Sequence, residues 1–281
     1  MPPPCSRRVL ALRMNHSIII THAVLVGLTP LIPIPGLDDL VKAFFYRNMV
    51  KALAAAYGAE LSADEIARLA EEQGSGCLNG CLFWLIEFLV KRTVRKVLFV
   101  LEWRRAIDLV THTYYAGYLL DYAFKQGWYA PGDANRAAQL RAAVEHARAG
   151  ANTTLVNRIV RSSFDESRAL IVGVVQQVSN SVRDIAFRRS RMWLRRTLAT
   201  RLRRRAPRLA RWLYSRAKPA EAEQVARAES QVAQTLERET PGLNRALSGL
   251  VEQLQARITS LPEGHFDELE KRLAASLKPG G

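Results

Sequence analysis

Apolar positions recur along most of this chain at a spacing close to 3.6 residues, and strand-like alternation is absent over any useful length. The pattern predicts an all-α fold: a multi-helix hydrophobic bundle, a long basic helix and an amphipathic helical tail. A first helix is predicted over 16–29, ending at the proline-rich turn 30–36 (Pro-Leu-Ile-Pro-Ile-Pro-Gly). In a second, Leu37, Leu40, Val41, Phe44, Phe45, Val50, Leu53 and Tyr57 share a face, and Gly58 supplies a stop. Ser62 and Glu65 have capping-box spacing and start a short helix over 63–73, which Gly74 and Gly76 end.

Residues 77–90 are apolar nearly all round, with Glu87 the only charge, which implies burial on most sides or contact with lipid. Lys91, Arg92, Arg95 and Lys96 interrupt the run before Val97–Trp103 resumes it. Six aromatics with polar tips fall within 114–129: Tyr114, Tyr115, Tyr118, Tyr122, Trp128 and Tyr129. Such side chains suit places with one dry and one wet end, and here the rim of a helical core is favoured over a membrane interface. The sequence Gly-Trp-Tyr-Ala-Pro-Gly-Asp at 127–133 is the clearest break. Asp133 then caps a helix over 134–149, closed by Gly150, and another begins near Asn152. Ser163 and Glu166 again have capping-box spacing. From Phe164 to Ala206 there is no proline and one glycine, so the pattern allows a single helix of 43 residues, about 64 Å long. In the tail, Pro241 and Pro262 divide three helical pieces. Leu243, Leu247, Leu250, Val251, Leu254 and Ile258 line one face of the middle piece, and Phe266, Leu269, Leu273 and Leu277 line the last.

The regions expected are a disordered amino terminus over 1–13, a hydrophobic helical domain over 14–130, a helical region with the basic helix over 133–218, and an acidic amphipathic tail over 219–281. Charge sharpens this division. Of the formal net charge of +15, residues 183–218 supply 14 Arg/Lys against one Asp, a net +13; residues 219–281 are net −3. Within the basic run, Phe187, Leu194, Leu198, Leu202, Leu209 and Leu213 form a narrow apolar stripe. The residues expected to meet a membrane or phosphate are Arg188, Arg189, Arg191, Trp193, Arg195, Arg196, Arg201, Arg203, Arg204, Arg205, Arg208, Arg211 and Trp212. A basic helix with leucines and tryptophans suits an anionic lipid surface, where the stripe enters the acyl boundary and arginines meet phosphates. Nucleic acid accepts such charge through phosphate neutralisation, but explains the leucines and tryptophans less well. A third account is a solvated helix offset by the acidic tail, which itself is suited to fold back or to pair with a partner helix.

The longest run without Asp, Glu, Lys or Arg is Met14–Leu37, 24 residues, enough to span a bilayer in length. His16, His22 and three prolines favour a buried or re-entrant helix instead. Arg7, Arg8 and Arg13 before an apolar stretch resemble a signal peptide superficially, yet no small-x-small cleavage site follows, and Met14 is an alternative start. Cys5, Cys77 and Cys81 are too few for a disulfide framework, and Cys77 and Cys81, four apart, read as packing residues rather than metal ligands. No P-loop, dinucleotide-binding, H-E-x-x-H or G-x-S-x-G pattern is present, and no cofactor, metal or small-molecule ligand is indicated. Asp108 and His112 at helical spacing, with the tyrosines, are the residues an enzyme on an all-α scaffold would use. A catalytic role is not favoured.

The stretch from His22 to Glu72 carries a resemblance. An apolar helix, Pro-Ile-Pro-Gly-Leu-Asp at 33–38, an amphipathic helix with Met-Val-x-x-Leu and Tyr-Gly, then Leu-Ser and a short helix, resemble the YcjF-type domain-of-unknown-function family, and EcsC-like proteins more distantly. Its core is Pro33, Pro35, Gly36 and Asp38, and it covers about 50 residues of the chain. The resemblance implies a bacterial, helical, membrane-associated protein, and it supplies no catalytic residues. On elementary grounds the same residues form a helical hairpin: the prolines hold the chain extended, Gly36 permits the turn, and Asp38 stabilises the next helix start. The location expected is the cytoplasmic face of the inner membrane, or the cytoplasm.

Overall fold

In the computed structural model, residues 4–32, 38–70, 95–129, 131–182, 220–262 and 264–277 are described. They form an all-α fold, with no strand among them. Helix α1 spans Pro4–Gly27 and leads through a 3₁₀ turn, Thr29–Leu31, towards α2, Asp38–Ala56. Then come α3 (Ala63–Ala70), α4 (Arg95–Lys125), α5 (Ala134–Ala149) and α6 (Thr154–Glu166). A helical run over 168–182 follows, then α7 (Ala220–Thr259) and α8 (Asp267–Leu277).

Helix α1 is the centre of the bundle and packs on α2, α4 and α7. Its apolar residues Ile19, Ile20, Ala23, Val24, Leu25 and Val26 are all buried. Small residues set how closely it approaches α4. A Cβ at Gly27 would stand 2.1 Å from Val110 Cγ2 and 3.0 Å from the Ala106 carbonyl; one at Gly117 would stand 2.8 Å from Ile19. Both lie inside van der Waals contact, so glycine is what permits the crossing. The apolar run of the first helix is therefore spent on protein packing, and none of the described helices is long and apolar enough to cross a membrane. The helix also starts at Pro4, earlier than the position 16 that the pattern predicts.

A single buried cluster runs from Ile19 to Leu273 and joins residues on both sides of the 127–133 loop. That loop is pinned from a distance. Ser62 and Glu65 form the expected capping box: Ser62 N–H donates to Glu65 Oε2 at 2.9 Å, and Glu65 N–H donates to Ser62 Oγ at 3.3 Å. The other carboxylate oxygen of Glu65 accepts from Tyr129 Oη at 2.5 Å and from Gly132 N–H at 2.8 Å. These donors, Tyr129 first, hold the buried Glu65 carboxyl down at about 2. Asp133 caps α5 as expected, accepting from Asn135 N–H at 2.8 Å and Arg136 N–H at 3.3 Å. On α5 the buried Arg141 stacks over the Tyr46 ring, donates to its hydroxyl and pairs with Glu145, so its charge is not stranded.

Two expectations fail. Ser163 and Glu166 do not cap a helix start; they occupy the last turn of α6, which ends at Ser167, and a new helical run begins at 168. Ser163 is buried there and accepts from Arg257 Nη1 at 3.2 Å, while Glu166 holds the same guanidinium at 2.8 Å. One uninterrupted helix over 164–206 is thereby excluded. Nor does Pro241 divide the tail: α7 runs through it for 40 residues. Val232, Leu236, Leu243, Leu247, Leu250 and Leu254 are buried on both sides of the proline. Continuous burial of that stripe outweighs a helix-interior proline, which costs about 3 kcal/mol.

Candidate functional site

The basic residues from Arg188 to Trp212, and Pro33, Pro35 and Gly36 of the family-like turn, lie outside the described residues. So do Cys77, Cys81 and the apolar run 77–90. Asp38 is the first residue of α2.

The residues considered for an enzyme site differ in burial along α4. Tyr114 and Tyr115 face inward and are buried, whereas Asp108 and His112 are exposed. Tyr114, at i+6, is turned about 120° away from Asp108; Tyr115, at i+7, shares the face of Asp108 two turns further along and is covered there by His265 and Phe266.

On the inner side, a polar cluster is enclosed where α1, α4 and the start of α8 meet. Asp121 is only 5% exposed. Its Oδ1 accepts from Asn15 Nδ2 at 2.8 Å and from Tyr57 Oη at 2.9 Å, and Asn15 Nδ2 also reaches Tyr57 Oη at 3.1 Å. Burial raises the Asp121 carboxyl above its ordinary value, against the two hydrogen bonds that favour its charge. Burial likewise lowers the pKa of His16, whose Nδ1 lies 3.5 Å from Tyr114 Oη and whose ring meets Tyr118 edge-on. Tyr118 donates to Glu270 at 2.5 Å and stacks on Phe266 with centroids 4.4 Å apart. Tyr115 Oη donates to the Asn152 carbonyl at 3.2 Å and lies 3.0 Å from His265 Nε2; burial pushes this hydroxyl up to about 12. The tyrosines thus serve the packed core and its rim. Raised hydroxyls and lowered imidazoles keep the cluster neutral apart from its carboxylates, which fits a specifying network between helices.

On the outer side of α4 two open cavities lie side by side. One, of about 180 Å³, is lined by Thr29, Pro30, Asp39, Lys42, Arg105, Asp108, Leu109 and His112. The other, of about 410 Å³, is lined by Leu101, Arg104, Arg105, Ile107, Asp108, Asn157 and Arg161. Arg105 and Asp108 belong to both. Asn157 of α6 donates to Asp108 Oδ1 at 2.7 Å and fixes the carboxylate between them. Arg104, Arg105 and Arg161 are exposed and enter no ion pair among the described residues. Beside them Val100 is 57% exposed and Leu101 56%. Leu101, Arg105, Asp108 and His112 follow one another at three- and four-residue steps with Arg104 beside them, a stripe legible in the sequence. Reading Val97–Trp103 as an apolar block concealed it.

Among the described residues, no group of three or more His, Cys, Asp or Glu is placed to hold a metal ion. Compared with protein-family models, curated proteins and solved structures, the chain matches none.

Proposed function

We propose that this is a non-enzymatic, peripheral protein of the cytoplasmic face of a bacterial inner membrane, held there by the basic run 183–218. The observation that carries this reading is the placement of the charge: a net +13 within 36 residues, interleaved with Trp193, Leu194, Leu198, Leu202, Leu209, Trp212 and Leu213. Each cation near an anionic leaflet is worth about 1 kcal/mol, so a run of this density favours an anionic surface by many kcal/mol before any apolar contact. Burial of the α1 apolar face inside the bundle supports attachment over insertion for that segment. The Pro-Ile-Pro-Gly-x-Asp resemblance to the YcjF-type family supports the same location.

Co-sedimentation with vesicles tests the reading. The full chain is expected to pellet with vesicles containing anionic lipid, to stay in solution with phosphatidylcholine alone, and to be released by salt rather than retained through alkali. Equal binding to neutral and anionic vesicles, or none to either, overturns it. A gel shift with DNA or RNA at low salt, without vesicle binding, would assign the basic run to nucleic acid instead.

A further inference from the structure

We propose that the groove between α4 and α6 seats the headgroup of a phosphomonoester lipid, with Val100 and Leu101 entering the acyl boundary beside it. This inference rests on the peripheral-membrane reading and gives that surface a second, selective contact away from the basic run. Three guanidinium groups, those of Arg104, Arg105 and Arg161, line one cavity of about 410 Å³ and enter no ion pair among the described residues. The one carboxylate on that cavity, Asp108, is turned to Asn157. Three cations facing one anion leave a local excess of positive charge among the described residues that line this cavity. Guanidinium donors match phosphate oxygens in bidentate geometry. A phosphomonoester offers three terminal oxygens and a charge between one and two, and so engages more of these donors than a singly charged diester. The apolar component points to lipid as the source of the phosphate. Val100 and Leu101 stand more than half exposed at the same end of α4, an unfavourable arrangement in water and a favourable one at a headgroup layer. A nucleic-acid backbone, built of diesters, would use the arginines and leave the two apolar residues in water.

The experiment uses the full chain and vesicles of phosphatidylcholine mixed with either phosphatidate or phosphatidylserine, matched for surface charge. Wild type is expected to bind phosphatidate vesicles several-fold more tightly. The variant Arg104→Gln/Arg105→Gln/Arg161→Gln is expected to lose that preference, with phosphatidate binding down by tenfold or more, at about 1 kcal/mol per cation. Its phosphatidylserine binding should fall less, because 183–218 supplies most of that attraction. These arginines are exposed, so circular dichroism and thermal melts matching wild type confirm that the fold is intact. A second variant, Leu101→Asp, leaves the arginines in place and is expected to weaken phosphatidate binding by removing the apolar contact. Equal affinity of wild type for the two anionic lipids, or a phosphatidate preference that survives the triple substitution, overturns the groove while leaving the peripheral reading standing. Absence of binding to either anionic vesicle overturns both.

Discussion

At Asp121 the surroundings pull the carboxylate in two directions. Hydrogen bonds from Asn15 and Tyr57 favour its charged form, and burial disfavours it more strongly, so its pKa is raised. The two donors need an acceptor more than they need a charge. Asp121→Ala leaves Asn15 and Tyr57 without their shared acceptor and is expected to cost about 1–3 kcal/mol. Asp121→Asn keeps an oxygen in place and removes a disfavoured charge, so it is expected to be neutral or stabilising at pH 7. Urea unfolding of the two variants checks this. An asparagine variant as unstable as the alanine variant would mean that the negative charge itself is required, and would turn attention to His16 as its partner.

Individual helices show which sequence signals carry through to structure. Ser62 with Glu65 and Ser163 with Glu166 have the same spacing; the first pair caps α3 and the second ends α6. The signature is local, but the outcome depends on partners distant in sequence: Arg257 of α7 occupies both Ser163 and Glu166. The second oxygen of Glu65, bound to Tyr129 and Gly132, shows the same limit, because periodicity carries no information about a loop 64–67 residues away. Helical class, the cap at Asp133 and the buried faces of α2, α7 and α8 were legible from 3.6-residue spacing and short-range capping chemistry. The outer groove was not, because its cations come from two helices and its apolar residues lie in a run that reads as core. Pro241 gives a quantitative case. Because burial of one stripe carries α7 through the proline, Pro241→Ala is expected to restore a helix hydrogen bond at no packing cost. The relief of about 3 kcal/mol in a free helix, less up to 1 kcal/mol for a looser unfolded chain, predicts stabilisation of roughly 2–3 kcal/mol. Chemical denaturation followed by far-UV circular dichroism measures it; a loss of stability would show that a joint at 241 is needed after all.

Over the whole molecule, three half-buried histidines dominate how stability responds to mild acid. His16, His22 and His265 all have pKa values pushed below the ordinary 6.5, burial being the leading cause for each. The Asp121 charge near His16 opposes this, as does the Ile18 carbonyl, which accepts from His22 Nδ1 at 2.8 Å. Above pH 7 each imidazole is neutral in both the folded and unfolded chain, and none affects stability. As pH falls below about 6.5, the unfolded chain takes up these protons first, so unfolding gains and stability declines. Asp121 acts in the reverse sense: its raised folded pKa lets the native state take a proton before the unfolded chain does, which returns some stability at lower pH. Glu65, held at about 2, contributes stability that is present above 4.5 and is lost only in strong acid. The expected profile is therefore flat from pH 8 to 7 and declines between 6.5 and about 5, where three histidines outnumber one opposing aspartate. His265→Gln should make that decline shallower and leave stability at pH 8 within about 1 kcal/mol of wild type, since glutamine can keep a hydrogen bond to Tyr115. Urea midpoints measured from pH 8 to 5 on both proteins decide it. A stability that is constant or rising as pH falls through 6.5 would mean that these imidazoles are already paired with charge in the native state, with Asp121 beside His16 the first place to look.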